Sequence, residues 1–147
     1  LELSSAFALV QLKRFPKFKK ARQDNFNNLY KFFMKYDKYF TLSEQTKDTE
    51  TVWLAFPLII KVDAPFDRLE LVTFLEENNI QTRPVFTGNI LKQPGYKKIP
   101  HRLAQKSYPN TENIMRNAFV IASHHGLNAV QIKYLKEKFA EFLSKYN

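Results

Sequence analysis

The sequence contains no cysteine. That excludes a disulfide scaffold, a thiol nucleophile and any iron–sulfur or zinc-thiolate site. Redox chemistry therefore does not fix the compartment, and nothing in the chain calls for secretion. Glycine is scarce, three in 147 residues. Collagen-like and low-complexity classes are excluded, as is a phosphate loop of the G-x-G-x-x-G type. No apolar run approaches the roughly 18 residues of a membrane span. The N-terminus lacks the basic, apolar and small-residue succession of a signal peptide. It also lacks methionine and begins inside an apolar helical pattern with no cap before it. The expectation is a piece of a longer protein.

Aromatic residues are abundant, 15% of the chain with 14 Phe and 7 Tyr. With 44% hydrophobic and 25% charged residues, this is the composition of a globular domain and not of a disordered chain. A chain of this length buries roughly 68–70% of its unfolded surface. The net charge is +9. Most of the excess lies between Lys13 and Lys38, where nine Lys/Arg face two Asp. This run reads as a solvated helix face; a nucleic-acid surface is the alternative.

Leu3, Phe7, Val10 and Gln11 recur at helical spacing among small residues, which predicts a closely packed helix. Pro16 predicts a break and the first turn of a second helix, running to about Tyr39 with Phe18, Ala21, Phe26, Leu29, Phe33 and Tyr36 apolar. Ser43–Glu50 reads as a loop. Thr51–Val62 reads as a strand buried on both faces, with Pro57 at a bulge or an edge. A helix follows over Phe66–Asn78, its apolar positions Leu69, Val72, Phe74 and Leu75, capped by Asn78-Asn79. Ile80–Phe86 is a short strand interrupted at Pro84. Thr87–Pro109 is a proline-punctuated loop whose length marks it as functional or mobile. A short helix over Thr111–Met115 is capped by Asn110. Ala118–Ser123 is a third strand. Asn128 caps a last helix from Ala129 to about Tyr146, with Val130, Ile132, Leu135, Phe139, Phe142 and Leu143 as its stripe. The fold class is α/β (α+β): a small sheet of about three strands covered by helices.

His124 and His125 are adjacent at a strand end, where neighbours point to opposite faces, so the pair is poor for chelating one ion. One of them lining a cleft as a hydrogen-bond donor is the alternative to a surface role. The carboxylate pairs Glu76-Glu77 and Glu137/Glu141 read as solvated helix faces. The segment Thr82–Tyr96 concentrates chemistry. Arg83 carries a planar fork suited to carboxylate or phosphate. Asn89 and Gln93 carry amides, and Phe86 and Tyr96 offer stacking walls. Together they line one side of a polar-substrate site, or else form an ordinary strand end whose Arg makes a salt bridge.

Glu2–Leu12 resembles the E-L-Q-A-A-x-G-L-x-Q-L helix of the DegT/DnrJ/EryC1/StrS family, with Ser4 and Ala8 in place of Gln and Gly. Arg22, Asn25, Phe26 and Leu29 are similar to the R-x-x-N-F/A-x-x-L pattern that follows. Thr82-Arg83-Pro84-Val85-Phe86-Thr87-Gly88-Asn89 with Gln93-Pro94 resembles the T-R-P-x-F-x-G-N-x-x-x-Q-P of one branch, the NDP-4-keto-6-deoxyhexose 3-dehydrases of lipopolysaccharide and deoxysugar pathways. The aminotransferase branch has a histidine-containing R-x-H-Y-x-P there. Pro109-Asn110-Thr111 with Ile114-Met115 is similar to the first branch's L-P-N-T-D-x-I-M, and His125-Gly126-Leu127 replaces a P-G-L.

The resemblance covers essentially the whole chain. It implies the C-terminal small domain of the aspartate aminotransferase fold, residues 1–147 being one domain fragment without the N-terminal cofactor-binding domain. It implies pyridoxal or pyridoxamine 5′-phosphate in the whole protein, none bound to the fragment, and a nucleotide-linked 4-keto-6-deoxyhexose as substrate. The catalytic base and the phosphate-contacting loop belong to the absent domain, so no catalytic, cofactor-binding or metal residue is expected here. Arg83, Phe86, Asn89 and Gln93 are expected on the substrate side of the cleft, with His124 as a weaker contact. A cytoplasmic homodimer with no nucleic-acid or membrane partner is expected. A nucleotide-sugar aminotransferase and a basic nucleic-acid-binding module are the alternatives.

Overall fold

A computed structural model describes residues 2–146. Phe26, Leu29 and Phe33 recur every three or four positions and make one buried stripe at the end of helix α1 (Glu2–Phe33). The chain then passes through a short 3₁₀ turn, Met34–Tyr36, into strand β1 (Phe40–Leu42). Strand β2 (Ala55–Ile60) alternates, with Phe56, Leu58 and Ile60 buried and the residues between them half-exposed. After helix α2 (Arg68–Glu77) comes strand β3 (Thr82–Pro84). Helix α3 (Pro109–Asn117), strand β4 (Ala118–Ala122) and helix α4 (Ala129–Leu143) complete the chain.

Among the described residues the sheet has four strands in the order β1-β2-β4-β3, with antiparallel pairing throughout. The mixed helix-and-small-sheet class read from the sequence holds, with one more strand. Phe33 sits where its layers meet. Its ring lies 4.8 Å from Phe139 of α4, 5.3 Å from Phe56 of β2 and 5.6 Å from Phe40 of β1. Edge-on and stacked ring contacts of this kind add to area burial.

Several expectations are corrected. Pro16 does not break α1, which runs through it. A proline inside a helix removes one hydrogen bond and costs about 3 kcal/mol. Here the position is exposed, so the carbonyl of Leu12 can bond to water, and Ala, Leu, Lys and Arg on both sides favour helix. The first half of α1 is not closely packed: Leu3, Phe7, Leu12 and Phe15 are exposed. β1 falls between the helix expected to end near Tyr39 and the loop expected from Ser43, and its three residues are too few to show alternation. β2 is six residues long and buried on one face only. Pro57 lies beyond the last β1 pair, Leu42↔Leu58, so β2 is an edge on that side there and no ladder bond to β1 is lost. Leu69 and Val130 face solvent.

The caps explain the boundaries. Asp67 accepts a hydrogen bond from the Glu70 N–H at 2.9 Å and opens α2. Asn78 closes it, with Asn79 left-handed at φ 59°. Asn128 and Gln131 form a reciprocal capping box at α4. α3 opens on Pro109 with Tyr108 at the cap position, not on Asn110. Pro109 has the φ of a first helical residue, and the residue before a proline is pushed out of the helical region. Irregular chain and two 3₁₀ turns, Ile90–Lys92 and Pro94–Tyr96, fill the loop before it.

Truncating Phe33 to Ala should cost about 3–5 kcal/mol by cavity formation. Val130→Ala should cost under about 0.5 kcal/mol at its exposed position. Urea unfolding of the two variants checks the contrast.

Candidate functional site

β3 is an edge strand whose only partner in the sheet is β4, with Arg83 opposite Val120. Its start is pinned from below. The Thr82 N–H and hydroxyl both donate to one Glu76 carboxylate oxygen, at 2.6 and 2.8 Å. Thr82 is buried, and strand alternation then turns Arg83 outward. One Arg83 Nη1 donates to the Thr82 carbonyl at 2.9 Å. Arg83 makes no ion pair among the described residues, so its fork is open. Opposite it, Arg68 Nη1 donates to the carbonyls of Met115 and Ala118, tying α2 to the end of α3. The two arginines, with Val72, Pro84 and Phe119, line a hollow of about 240 Å³.

Beyond Pro84 the backbone turns sharply. Phe86 adopts φ 46° and Gly88 φ 63°. A bulky residue in the left-handed region is strained, and such strain gathers where the surroundings impose it. Phe86 is 93% exposed. Met115 packs against the turn at Gly88. A Cβ on Gly88 would stand 2.4 Å from the Met115 side chain and 2.9 Å from its Cα. Only glycine fits, in space and in φ.

Asn89 is buried and fully employed. Its side-chain oxygen accepts from the Leu91 N–H at 3.0 Å, and its amide donates to Glu112 at 2.6 Å. Glu112 also meets the Lys92 ammonium at 2.5 Å. Gln93 donates to the Thr87 carbonyl at 2.7 Å. Asn89 and Gln93 therefore fold the loop, whereas Arg83 and Phe86 project from it.

His124 is at the other end. β3 meets β4 with Pro84 opposite Phe119, so Phe86 and Asn89 lie toward α3 while His124 follows the far end of β4. His124 Nδ1 accepts from the Gly126 N–H at 3.0 Å, and His125 stacks on Phe18 at 4.1 Å. Neither is brought to the Arg83 lip. No group of three metal-ligating side chains occurs among the described residues. A larger hollow, about 790 Å³, lies between the β2–α2 turn and the flank of α3. Asp67, Glu70 and Glu112 alternate there with Lys61 and Arg116, and none of the five expected substrate residues lines it. Arg68 and Glu112 hold this region and were not singled out in the sequence, and Glu76, expected on a solvated helix face, holds Thr82 instead. Their roles depend on contacts across the fold, and no local pattern announces them.

Around this loop, Glu76 and Glu112 are held below the ordinary carboxyl value of 4.5. For Glu76 the causes are the Thr82 N–H and hydroxyl, then the Arg83 charge, against partial desolvation. For Glu112 they are the hydrogen bonds of Lys92 and Asn89. A depressed carboxyl contributes stability that is complete above its unfolded pKa and is lost as pH falls through its lower folded pKa. The loop from Thr82 to Lys92 should therefore loosen below about pH 4.5. Amide exchange at Leu91 should accelerate there, and Glu112→Gln should flatten that dependence. Gly88→Ala should destabilise the chain by more than about 1 kcal/mol, measured by urea unfolding, while Gly95→Ala, with nothing within 4 Å, should not.

Comparison with known proteins places these features. The DegT/DnrJ/EryC1/StrS aminotransferase family matches residues 1–140. The chain is 33% identical over 141 residues to the lipopolysaccharide biosynthesis protein RfbH of Salmonella typhimurium, covering 96% of this chain and 32% of that protein. It is 31% identical to the GDP-4-keto-6-deoxy-D-mannose 3-dehydratase of Escherichia coli O55:H7, covering 93% and 34%. The solved E. coli GDP-4-keto-6-deoxy-D-mannose-3-dehydratase with bound hydrated PLP superposes with a TM-score of 0.82 at 31% identity, over 93% of this chain and 34% of that one. An aminotransferase from Psychrobacter cryohalolentis shares the fold, with a TM-score of 0.85 at 14% identity over 98% and 39%. The chain spans about a third of the length of the curated relatives it matches. With the helix-and-sheet architecture, the Arg83–Pro94 segment and nearly the whole length accounted for, the chain belongs to the DegT/DnrJ/EryC1/StrS aminotransferase family.

Proposed function

We propose that this chain is the C-terminal domain of a nucleotide-sugar 3-dehydrase that uses pyridoxamine or pyridoxal phosphate and removes the C3 hydroxyl of an NDP-4-keto-6-deoxyhexose. The observation that carries the reading is Arg83. It is an exposed guanidinium without a carboxylate partner, on an edge strand at the lip of a hollow, in a segment that reads as the 3-dehydrase motif. The 3-dehydratase relatives, aligned over nearly all of this chain, support it.

When bound, the cofactor supplies an amine for the 4-keto carbon and an electron sink for loss of the C3 hydroxyl. The buried polar side chains among the described residues are Thr82, Asn89 and Ser123. None is an amine or an imidazole, so these residues do not fit a cofactor anchor, and the reading assigns them no proton transfer. Their work is binding. Arg83 offers two parallel N–H groups to a phosphate or carboxylate oxygen pair. Phe86, exposed at the turn before Gly88, offers a ring face. Asn89 and Gln93 fix the loop that sets Phe86 in place, and so act as positioning residues. His124 drops out of this lip.

The reading includes a homodimeric, cytoplasmic whole protein and an isolated chain without turnover. The exposed Leu3, Phe7, Leu12 and Phe15 of α1 support a covering surface. No helix among the described residues is long and apolar enough to cross a membrane.

The test uses the full-length protein that carries this chain. Pyridoxal phosphate is added, the mixture is reduced with borohydride, and the intact mass is measured. Bound cofactor that stays non-covalent is expected. A covalent mass gain would mean a Schiff-base lysine and an aminotransferase, and absence of binding would remove both readings. Arg83→Lys, which keeps the charge and loses the fork, should lower kcat/KM by roughly tenfold to a hundredfold. Unchanged kinetics would return Arg83 to a structural role.

A further inference from the structure

Two points hold the chain on either side of Phe86. Upstream, Pro84 pairs with Phe119 across β3 and β4. Downstream, Asn89 is buried. Four residues, Val85 to Gly88, span the interval between them. Where the Phe86 ring stands therefore depends on how firmly the downstream point is held.

One carboxylate does most of that holding. Glu112 lies on α3, and its two oxygens have different partners. Oε1 accepts the Asn89 amide at 2.6 Å, and Oε2 takes the Lys92 ammonium at 2.5 Å. Asn89 caps the 3₁₀ turn Ile90–Lys92, and Lys92 ends it. A single side chain thus grips both ends of the turn. Both contacts involve an ionised acceptor, the shorter and stronger class of hydrogen bond. The Glu112 side chain is 23% exposed, so water and salt screen it less than a surface pair. Met115, one turn further along α3, packs on Gly88, and its sulfur accepts the Asn89 N–H at 3.4 Å. The far end of α3 is itself anchored, where Arg68 donates to the carbonyls of Met115 and Ala118. Contacts run from α2 through α3 to the turn, and from the turn along the chain to Phe86.

We propose that Glu112 is a positioning residue for the lip. By holding Asn89 and Lys92 together it fixes the downstream end of the Phe86 segment, and so the place where substrate meets the Phe86 ring. The proposal rests on the nucleotide-sugar reading above and adds to it a residue that touches no substrate itself. Glu112 moves no proton in the reaction and acts only through Phe86. A misplaced binding contact weakens ground state and transition state alike, so the loss falls on KM and not on kcat.

Steady-state kinetics of the full-length protein with pyridoxal phosphate, glutamate and GDP- and dTDP-linked 4-keto-6-deoxyhexoses test it. Glu112→Gln keeps the size of the side chain and removes its charge. It is expected to raise KM roughly tenfold or more and to change kcat less than about threefold. Phe86→Ala is expected to raise KM as well. Adding Glu112→Gln to Phe86→Ala should then raise KM by less than about a further twofold, because the second change has nothing left to displace. Glu50 is the control. It is also doubly bonded, but both its partners, Lys19 and Gln23, lie on α1. Glu50→Gln should leave KM and kcat within about twofold. Lys92→Met removes one Glu112 contact at an exposed position and leaves the Asn89 bond. It should raise KM about twofold to fivefold, and it takes the place of Glu112→Gln in the double variant where that chain fails to fold.

Effects of Glu112→Gln and Phe86→Ala that multiply would overturn the proposal. So would an unchanged KM in Glu112→Gln, a loss confined to kcat, or an equal rise of KM in Glu50→Gln. The product separates this proposal from the dehydrase reading. A product aminated at C4, with KM effects that do not multiply, would remove the dehydrase and keep the positioning role. A product that has lost its C3 hydroxyl, with KM effects that multiply, would keep the dehydrase and remove the positioning role. Turnover of neither kind would remove both.

Discussion

The ring of Phe33 is the junction on which the rest of the structure depends. It meets Phe40, Phe56 and Phe139, so it joins α1, β1, β2 and α4 at one buried point. α4 lies about a hundred residues from α1 in sequence, and the Phe33–Phe139 contact brings the two together over the sheet. With β2 held, β4 is paired on both edges, and β3 is left as an edge strand. An edge strand is where a side chain can face a ligand while its backbone stays anchored on one side. The aromatic core and the exposure of Arg83 are thus two consequences of one arrangement.

Around that edge the motif residues divide by task. Thr82 is tied to Glu76, Gly88 is pressed on Met115, and Asn89 is locked between Leu91 and Glu112. The hydrogen bonds of Thr82 and Asn89 hold the start of β3 and the loop after it. Arg83, whose Nη1 donates to the Thr82 carbonyl, has no carboxylate partner among the described residues. Phe86 holds φ 46°, a left-handed conformation strained for a bulky side chain, and its ring is exposed. The loop that follows continues the same economy, spending Lys92 on Glu112 and leaving Lys106 without an acid partner among the described residues.

Much of this was legible in the sequence where the signal is local. Asn128 with Gln131, Asp67, Asn78-Asn79 and the apolar stripe of α4 are each set by neighbours within four residues, and their elements form as read. Non-local effects were not legible. Pro16 looks like a break, and only its exposed setting lets the helix continue. β1 is too short to alternate visibly and exists because β2 pairs with it. Leu69 and Val130 fit a stripe by spacing yet face solvent. In the candidate site, Arg83 and Phe86 are both exposed, three residues apart on either side of Pro84 and Val85. Asn89 and Gln93 proved to be occupied in folding the loop, because Glu112 and Thr87 take their amides. His124 could not be separated from the group without the strand register.

The central claim is that this fold belongs to a protein that removes an oxygen from a sugar and does not add a nitrogen. The most direct measurement is the mass spectrum of the nucleotide sugar recovered after the full-length protein, pyridoxal phosphate and glutamate act on an NDP-4-keto-6-deoxyhexose. The account predicts a sugar that has lost its C3 hydroxyl. A sugar that keeps that hydroxyl and gains an amine at C4 would contradict it.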